Sequence, residues 1–162
     1  MNAKITFQEK KVIIFDLDGT IVQLAVDWNA LKDLLSNRYS KIYQVDSCEF
    51  RSISRCLDYI VEREDEEELF NFFEIIRSHE TENLEENEEI EEVLYFIQHL
   101  SEFGVPSETK LAVLSLNTRK AIIQSLKNAR IYEKFDFIVG REDVRKWKPD
   151  PEGLLKIQEH YD

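Results

Sequence analysis

Two carboxylates separated by one residue, Asp16 and Asp18, are the side chains best placed by sequence to do chemistry together. They follow the apolar run 12–15, which has no alternation of polar and apolar residues and is therefore typical of a strand buried on both faces. In open parallel sheets, ligands bind just beyond the carboxyl ends of the strands. One carboxylate there can act as a nucleophile and the other as a proton donor, and Thr20 adds a hydroxyl and an amide for an anion.

Two later segments carry further polar side chains at the ends of predicted strands. The apolar run 111–115 ends in Ser115, which is followed by Asn117, and Lys148 opens the sequence Lys-Pro-Asp-Pro. A third apolar run lies at 135–139, and each of the later two runs is followed by a helical pattern. Strands that alternate with helices predict a parallel α/β sheet, which gathers these side chains at one edge. Taken singly, Ser115 and Asn117 could instead form a helix cap and turn, and Lys148 could lie on the surface.

Residues 27–103 contain no strand-like alternation, and their pattern predicts four helices near 27–42, 47–62, 64–80 and 88–103. Residues 20–103 hold seven Lys or Arg and 21 Asp or Glu, whereas the remainder holds 14 and 12. This step in charge predicts two modules: an α/β core made of residues 1–22 and 104–162, and a helical insertion at 23–103. The acidic runs, including 80–92, are expected to be solvated helix faces, and Trp28 is expected either to pack or to overhang the site.

The composition limits the partners that this chain can take. A net charge of −12 argues against nucleic acid, and no apolar run approaches the roughly 18 residues that a membrane-spanning helix needs. The first residues do not read as a signal peptide. Two cysteines, Cys48 and Cys56, cannot form a disulfide framework, so we expect buried thiols and a cytoplasmic location.

The segment Phe-Asp-Leu-Asp-Gly-Thr at 15–20 resembles the first motif of the haloacid dehalogenase-like hydrolases. The run 111–115 resembles their second motif, and Lys-Pro-Asp-Pro at 148–151 resembles their third, preceded by a similar Gly-Arg-Glu-Asp at 140–143. The helical insertion after the first strand is similar to the helical cap of the phosphoglycolate phosphatase-like subgroup. The resemblance covers nearly the whole chain and implies a Rossmann-like three-layer core with an inserted helical cap.

The resemblance implies a phosphatase-type reaction on a small phosphate monoester. Asp16 would attack phosphorus and form an aspartyl-phosphate, while Asp18 would protonate the leaving alcohol and later deprotonate a water. Lys148 would hold Asp16 ionised and neutralise developing charge. A dehalogenase of the same fold is disfavoured, because such enzymes generally lack the second aspartate that Asp18 supplies here.

The resemblance also implies the binding groups. Phosphoryl oxygens would be bound by three polar side chains: Thr20, Ser115 and Asn117. A Mg²⁺ ion would bind the Asp16 carboxylate and the Asp18 main-chain carbonyl, which are the oxygen ligands that this ion prefers.

One departure from the family concerns a fourth motif, which consists of acidic residues at the end of a further strand. Only 14 residues follow Lys148 and none of them makes such a strand. We therefore expect a C-terminally truncated copy with a hydrophobic edge along 12–15 and with weak Mg²⁺ binding and little activity. The alternative is a catalytically silent remnant that binds a ligand or a protein; the oligomeric state stays open.

Overall fold

The computed structural model describes residues 7–45 and 52–162. Its strands and helices, in chain order, are β1 (Val12–Phe15), β2 (Val22–Gln23), α1 (Trp28–Tyr43), α2 (Ile53–Glu62), α3 (Glu66–Glu82), β3 (Glu88–Glu89), α4 (Glu91–Gln98), β4 (Lys110–Leu114), α5 (Arg119–Asn128), β5 (Phe137–Val139) and α6 (Glu152–Tyr161). Short 3-10 helices lie at Leu84–Glu86, Leu100–Phe103, Tyr132–Lys134 and Arg141–Asp143.

The main sheet has the strand order β1-β4-β5 and is parallel throughout. Its register pairs Ile14 with Ala112 and Ala112 with Phe137. The carboxyl ends of β1 and β4 therefore lie side by side, which brings the loops that begin at Asp16 and Ser115 together. The predicted parallel α/β class is confirmed.

Strand β4 separates two hydrophobic clusters by the ordinary alternation of its side chains. Leu111 and Val113 belong to one cluster with α5, and Ala112 and Leu114 belong to the other with Ile157 of α6. The unbroken apolar run is thus explained by burial on both faces. Helices cover the sheet on both sides, as the predicted three-layer core requires.

Helices α1, α2 and α3 pack on each other and extend the cluster that contains Ala112 and Leu114. Each follows a capping residue whose side chain accepts main-chain amides: Asp27, Ser52 and Asp65. The predicted helices at 27–42 and 64–80 agree with α1 and α3 to within two residues. The start of the predicted helix 47–62 lies outside the described residues, as does Cys48. Cys56 is a buried thiol outside any disulfide, as predicted.

The predicted helix at 88–103 is wrong in part. Residues Glu88–Glu89 form β3, which pairs antiparallel with β2, and only Glu91–Gln98 is α-helical before the 3-10 turn at Leu100–Phe103. The buried side chains of α4, Leu94 and Ile97, pack in the cluster of Leu111 and Val113. The boundaries 22/23 and 103/104 of the insertion stay a prediction, but α4 packs on the sheet rather than on α1 to α3.

Strands β2 and β3 hold together the two ends of the segment that lies between them. Beyond the paired residues, Ile90 donates its amide to the Ile21 carbonyl at 3.0 Å, and the Ala25 amide donates to Asn87 Oδ1 at 2.9 Å. The two chain segments that connect the α/β core with the helical segment therefore run side by side as a hydrogen-bonded neck.

Strand β1 lies at an edge of the sheet, with β4 as its one strand neighbour in the described part of the chain. Ile14 is 39% exposed there, which agrees with the expected hydrophobic edge. Among the described helices, none combines the length and the apolar composition that crossing a membrane would require.

Candidate active site

The loop after β1 presents Asp16 and Asp18 on a tight turn. The Leu17 carbonyl accepts the amides of Thr20, Ile21 and Val22 at 2.8–3.2 Å, and the Leu17 side chain is fully buried. Gly19 adopts φ +73°, a conformation that residues with a Cβ rarely adopt, and this explains the glycine between Asp18 and Thr20.

Lys148 reaches this turn from the loop that precedes α6. Its Nζ donates to Asp16 Oδ2 at 2.6 Å and to the Leu114 carbonyl, at the end of β4, at 3.2 Å. The other oxygen of Asp16, Oδ1, accepts the Leu17 amide at 2.8 Å. The structure thus brings the predicted nucleophile and the predicted lysine into direct contact, although 132 residues separate them.

Asp18 is held differently from Asp16. Its Oδ1 accepts the Leu24 amide at 2.9 Å. Burial raises the pKa of Asp18 and the nearby Asp16 charge raises it further, while the amides of Leu24 and Gly19 oppose the shift. A raised pKa keeps a larger fraction of this carboxyl protonated, which suits a proton donor.

Ser115 and Asn117 lie on the loop after β4 and are both buried. Ser115 Oγ donates to Asn117 Oδ1 at 2.7 Å, and Asn117 Nδ2 donates to Glu80 Oε1 of α3 at 3.0 Å. Both polar groups of the Asn117 amide are therefore engaged within the protein. Asn117 is placed to orient Ser115, and its predicted role as a direct substrate contact stays a prediction.

Glu80 is a site residue that sequence reasoning missed. The prediction of a solvated acidic face is wrong for Glu80, which is 1% exposed. Its Oε2 accepts the Thr118 amide at 2.8 Å and the Thr118 hydroxyl at 2.6 Å, and burial raises its pKa. The signal was the helical spacing: Glu80 continues the buried stripe of Phe73 and Ile76 on α3.

A cavity of about 390 Å³ unites most of the predicted residues. It is lined by Asp16, Asp18, Ser115 and Asn117, and by Trp28, Lys32, Ser52, Ile53, Ser54, Leu116 and Arg141. Trp28 lines this cavity and also packs against both hydrophobic clusters. Thr20 is not a lining residue, and its amide already donates to the Leu17 carbonyl at 3.1 Å, so its predicted contact with the substrate has no support from this cavity.

Arg141 is the second residue that sequence reasoning missed. Its amide donates to the Asn117 carbonyl at 2.8 Å and its carbonyl accepts Trp147 Nε1 at 2.9 Å, which fixes its main chain beside the loop after β4. Gly140 allows this approach, because a Cβ there would lie 2.7 Å from the main-chain nitrogen of Arg119. The signal was the Gly-Arg-Glu-Asp segment, whose arginine carried no role in the sequence analysis.

The oxygen atoms at this site fit Mg²⁺ in part. The Asp16 carboxylate borders the cavity, and the Asp18 carbonyl accepts no main-chain hydrogen bond within residues 7–45 and 52–162. No group of three or more His, Cys, Asp or Glu side chains with metal-binding geometry occurs in those same ranges. Two protein oxygens suit an ion that keeps several waters, as Mg²⁺ does.

Residues 13–162 match the family model of the haloacid dehalogenase-like hydrolases. Among curated proteins, the pyrophosphatase PpaX of Bacillus thuringiensis (strain Al Hakam) is 27% identical over 151 residues, which cover 89% of this chain and 65% of that protein. PpaX of Bacillus cereus (strain G9842) is also 27% identical, over 93% of this chain and 68% of its own length. This chain thus spans about two thirds of these relatives.

Two solved structures share the fold. A haloacid dehalogenase-like hydrolase from Bacteroides fragilis aligns over 94% of this chain and 73% of its own, with a TM-score of 0.59 and 20% identity. A predicted phosphoglycolate phosphatase from Haemophilus somnus 129pt aligns over 94% and 72%, with a TM-score of 0.57 and 22% identity. At these identities the likeness concerns the fold alone.

Proposed function

Because this chain belongs to the haloacid dehalogenase-like hydrolases, we propose that it acts as a phosphatase-type hydrolase on a small phosphate monoester. The contact of 2.6 Å between Lys148 Nζ and Asp16 Oδ2 carries the proposal. The ammonium group holds the Asp16 carboxylate in place beside the cavity that this carboxylate lines, where it is available for attack on phosphorus.

The proposed reaction runs in two displacements. A carboxylate oxygen of Asp16 forms a bond to phosphorus as the bond to the leaving oxygen breaks, and Asp18 transfers its proton to that oxygen. Asp18 then accepts a proton from a water whose oxygen attacks phosphorus, which releases phosphate and regenerates Asp16. The two steps replace one difficult displacement with two easier ones.

The surrounding residues would orient the phosphoryl group. Ser115 Oγ can turn from Asn117 towards a phosphoryl oxygen, while Lys148 neutralises charge that accumulates in the transition state. Mg²⁺, when bound by the Asp16 carboxylate and the Asp18 carbonyl, would neutralise charge on the phosphoryl oxygens. The Mg²⁺ dependence and the aspartyl-phosphate are parts of the proposal.

The proposal extends to the cellular setting. We expect action in the cytoplasm, because Cys56 is a buried thiol outside any disulfide. We expect a small-molecule substrate in place of nucleic acid, because the net charge of −12 opposes binding to polyanions.

The test is hydrolysis of an aryl phosphate by the full chain with and without Mg²⁺, compared with Asp16→Asn. We expect slow Mg²⁺-dependent turnover, because the described residues offer this ion few protein ligands. We also expect a phosphorylated protein that is about 80 Da heavier from the added HPO₃ group, and both should be lost in Asp16→Asn. Turnover that Asp16→Asn retains would refute the mechanism.

A second candidate function is binding of a phosphate ester without turnover. In the described part of the chain, no third carboxylate joins Asp16 and Asp18 in a metal-binding group, and this favours the second candidate. Calorimetric binding of inorganic phosphate combined with no turnover would select this candidate. Binding combined with turnover would exclude it.

A further inference from the structure

The hydroxyl group of Ser115 has a single proton to donate, and that proton already has an acceptor within the protein. Ser115 Oγ donates to Asn117 Oδ1 at 2.7 Å and accepts the Asn117 main-chain amide at 3.3 Å. Ser115 lines the cavity that also contains Asp16. The oxygens of a phosphoryl dianion are strong acceptors and have no proton to donate. A phosphoryl group in this cavity therefore competes with Asn117 for the Ser115 proton.

The direction of this hydrogen bond is set by Glu80 of α3. An ionised carboxylate accepts hydrogen bonds and donates none, so the side of the Asn117 amide that faces Glu80 has to be its NH₂ group. Asn117 Nδ2 donates to Glu80 Oε1 at 3.0 Å. Because the NH₂ group is directed to Glu80, the amide oxygen faces Ser115, and the Ser115 hydroxyl has to be the donor.

Glu80 is itself fixed in place. It is 1% exposed, and its second oxygen, Oε2, accepts the main-chain amide and the hydroxyl of Thr118 at 2.8 and 2.6 Å. Burial raises the pKa of Glu80, whereas the charge of Arg141 and the donors on Thr118 and Asn117 favour the ionised form. Three hydrogen bonds are thus accepted by the carboxylate, and its orientation fixes that of Asn117.

We propose that Glu80 is a positioning residue that acts on Ser115 through the Asn117 amide and lowers the affinity of the site for a phosphoryl group. The inference rests on the proposed function and deepens the part that Ser115 has in it. While Glu80 is ionised, a phosphoryl oxygen that binds Ser115 breaks the hydrogen bond between Ser115 and Asn117. The free energy of that internal hydrogen bond is subtracted from the free energy of binding.

The substitution Glu80→Gln should reverse the direction of these hydrogen bonds. The Thr118 main-chain amide is a donor of fixed direction, so the carbonyl of the introduced glutamine takes the place of Oε2 and its NH₂ group faces Asn117. The Asn117 amide then turns over to accept from that NH₂ group, which brings Nδ2 to Ser115 Oγ. Ser115 becomes the acceptor in its bond with Asn117, and its own proton is available to a phosphoryl oxygen.

The test is calorimetric titration of the full chain with inorganic phosphate at about pH 8, where Glu80 is further ionised, and at a fixed concentration of Mg²⁺. One internal hydrogen bond corresponds to an affinity that is about 3- to 10-fold higher in Glu80→Gln than in wild type. A purely structural role of Glu80 predicts an unchanged or lower affinity.

A second variant, Asn117→Ala, removes the acceptor of the Ser115 proton directly. It should also bind phosphate more tightly than wild type, and it decides the question if Glu80→Gln does not fold. A direct contact between Asn117 and the phosphoryl group predicts the opposite change, namely weaker binding by Asn117→Ala.

Two controls separate the effect on Ser115 from the effect of charge, because the loss of a negative charge by itself favours an anion. Glu82→Gln removes the same charge from an exposed position on the same helix and should bind phosphate as wild type does. In a Ser115→Ala background, Glu80→Gln should no longer raise the affinity, because no hydroxyl group is present to be released.

The outcomes separate this inference from the proposed function. A folded Glu80→Gln that binds phosphate no more tightly than wild type would overturn the inference, and so would a gain that persists undiminished in the Ser115→Ala background. Absence of phosphate binding in wild type and in both variants would overturn it as well. In each case the phosphatase proposal is decided separately, by turnover of the aryl phosphate and its loss in Asp16→Asn.

Discussion

Truncation of Glu80 to alanine should destabilise the protein strongly, although the residue is an acid in an acidic segment. The Glu80 carboxylate accepts three hydrogen bonds, of 3.0, 2.8 and 2.6 Å, from Asn117 and Thr118. Its removal leaves those donors buried without an acceptor and takes away the largest of the negative charges that compensate Arg141. Breaking a buried charged arrangement of this kind lowers the free energy of unfolding by about 3–5 kcal/mol.

Two effects reduce the loss of free energy of unfolding that is expected for Glu80→Ala. The Thr118 hydroxyl is free to rotate about its C–O bond, whereas the Thr118 main-chain amide is fixed in direction. The variant also recovers the free energy of desolvating a carboxylate, which opposes the loss. We therefore expect the lower end of the range, about 3 kcal/mol, which corresponds to a melting temperature lowered by about 6–12 °C for a chain of this size.

The assay is urea unfolding at pH 7, followed by circular dichroism and by the fluorescence of the buried Trp147. Glu82→Ala is the matched control, because Glu82 lies on the same helix and is exposed; its change should stay within about 0.5 kcal/mol. A double-mutant cycle with Thr118→Val should give a coupling of about 1 kcal/mol or more. A loss below about 1 kcal/mol in Glu80→Ala would refute the structural role that we assign to Glu80.

Three further predictions follow from other contacts. Burial raises the pKa of Glu80 above its ordinary value of 4.5, so at a pH just above 4.5 the folded state binds this proton more often than the unfolded state does. The free energy of unfolding of wild type, relative to that of Glu80→Gln, should therefore fall as the pH rises above about 4.5. A free-energy difference in urea titrations that stays flat or rises with pH would contradict this. Gly140→Ala should lower the free energy of unfolding by about 3 kcal/mol, because the new Cβ would lie 2.7–3.1 Å from main-chain atoms of Asn117 and Arg119. Gly104→Ala is the control: Gly104 has φ +72° but open space around its Cβ position, so the loss should be about 1 kcal/mol. Equal losses in the two variants would exclude the steric explanation. Lys148→Gln should lower kcat for an aryl phosphate by about 10²- to 10³-fold, while the exposed Lys146→Gln should leave it unchanged, and similar rates for both would remove Lys148 from the proposed mechanism.

Strands β1 and β4 could be predicted from their uninterrupted apolar runs. In β4 the run reflects burial on both faces, whereas in β1 the edge position leaves Ile14 39% exposed, so the predicted burial of both faces is wrong for that strand. The meeting of Asp16, Ser115 and Lys148 followed from the rule that parallel strands end at one edge. The pair β2 and β3 could not be predicted, because two-residue strands show no periodicity and Glu88–Glu89 resembles any exposed acidic segment. The pairing of β2 with β3 depends on hydrogen bonds between two segments that are distant in sequence.

The roles of Glu80 and Arg141 were not predictable from composition, because charged residues are usually exposed and only their partners explain their burial. Glu80 is buried because Asn117 and Thr118 provide donors from a loop that is distant in sequence. Arg141 is buried because Gly140 and Trp147 fix its main chain there. The helical spacing of Glu80 indicates its burial, but a local window of sequence does not identify the distant residues that it contacts.

The antiparallel pairing of β2 with β3 also has a consequence for how the chain tolerates change in length. Because the two strands bring Val22 opposite Glu89, the intervening chain leaves and re-enters the core at nearly one point. The segment between β2 and β3 is therefore a loop whose two ends are held together. The entropic cost of closing such a loop grows only logarithmically with its number of residues. Changes in length at exposed connections of this segment should thus be tolerated, provided that Glu80 of α3 keeps its contacts with Asn117 and Thr118.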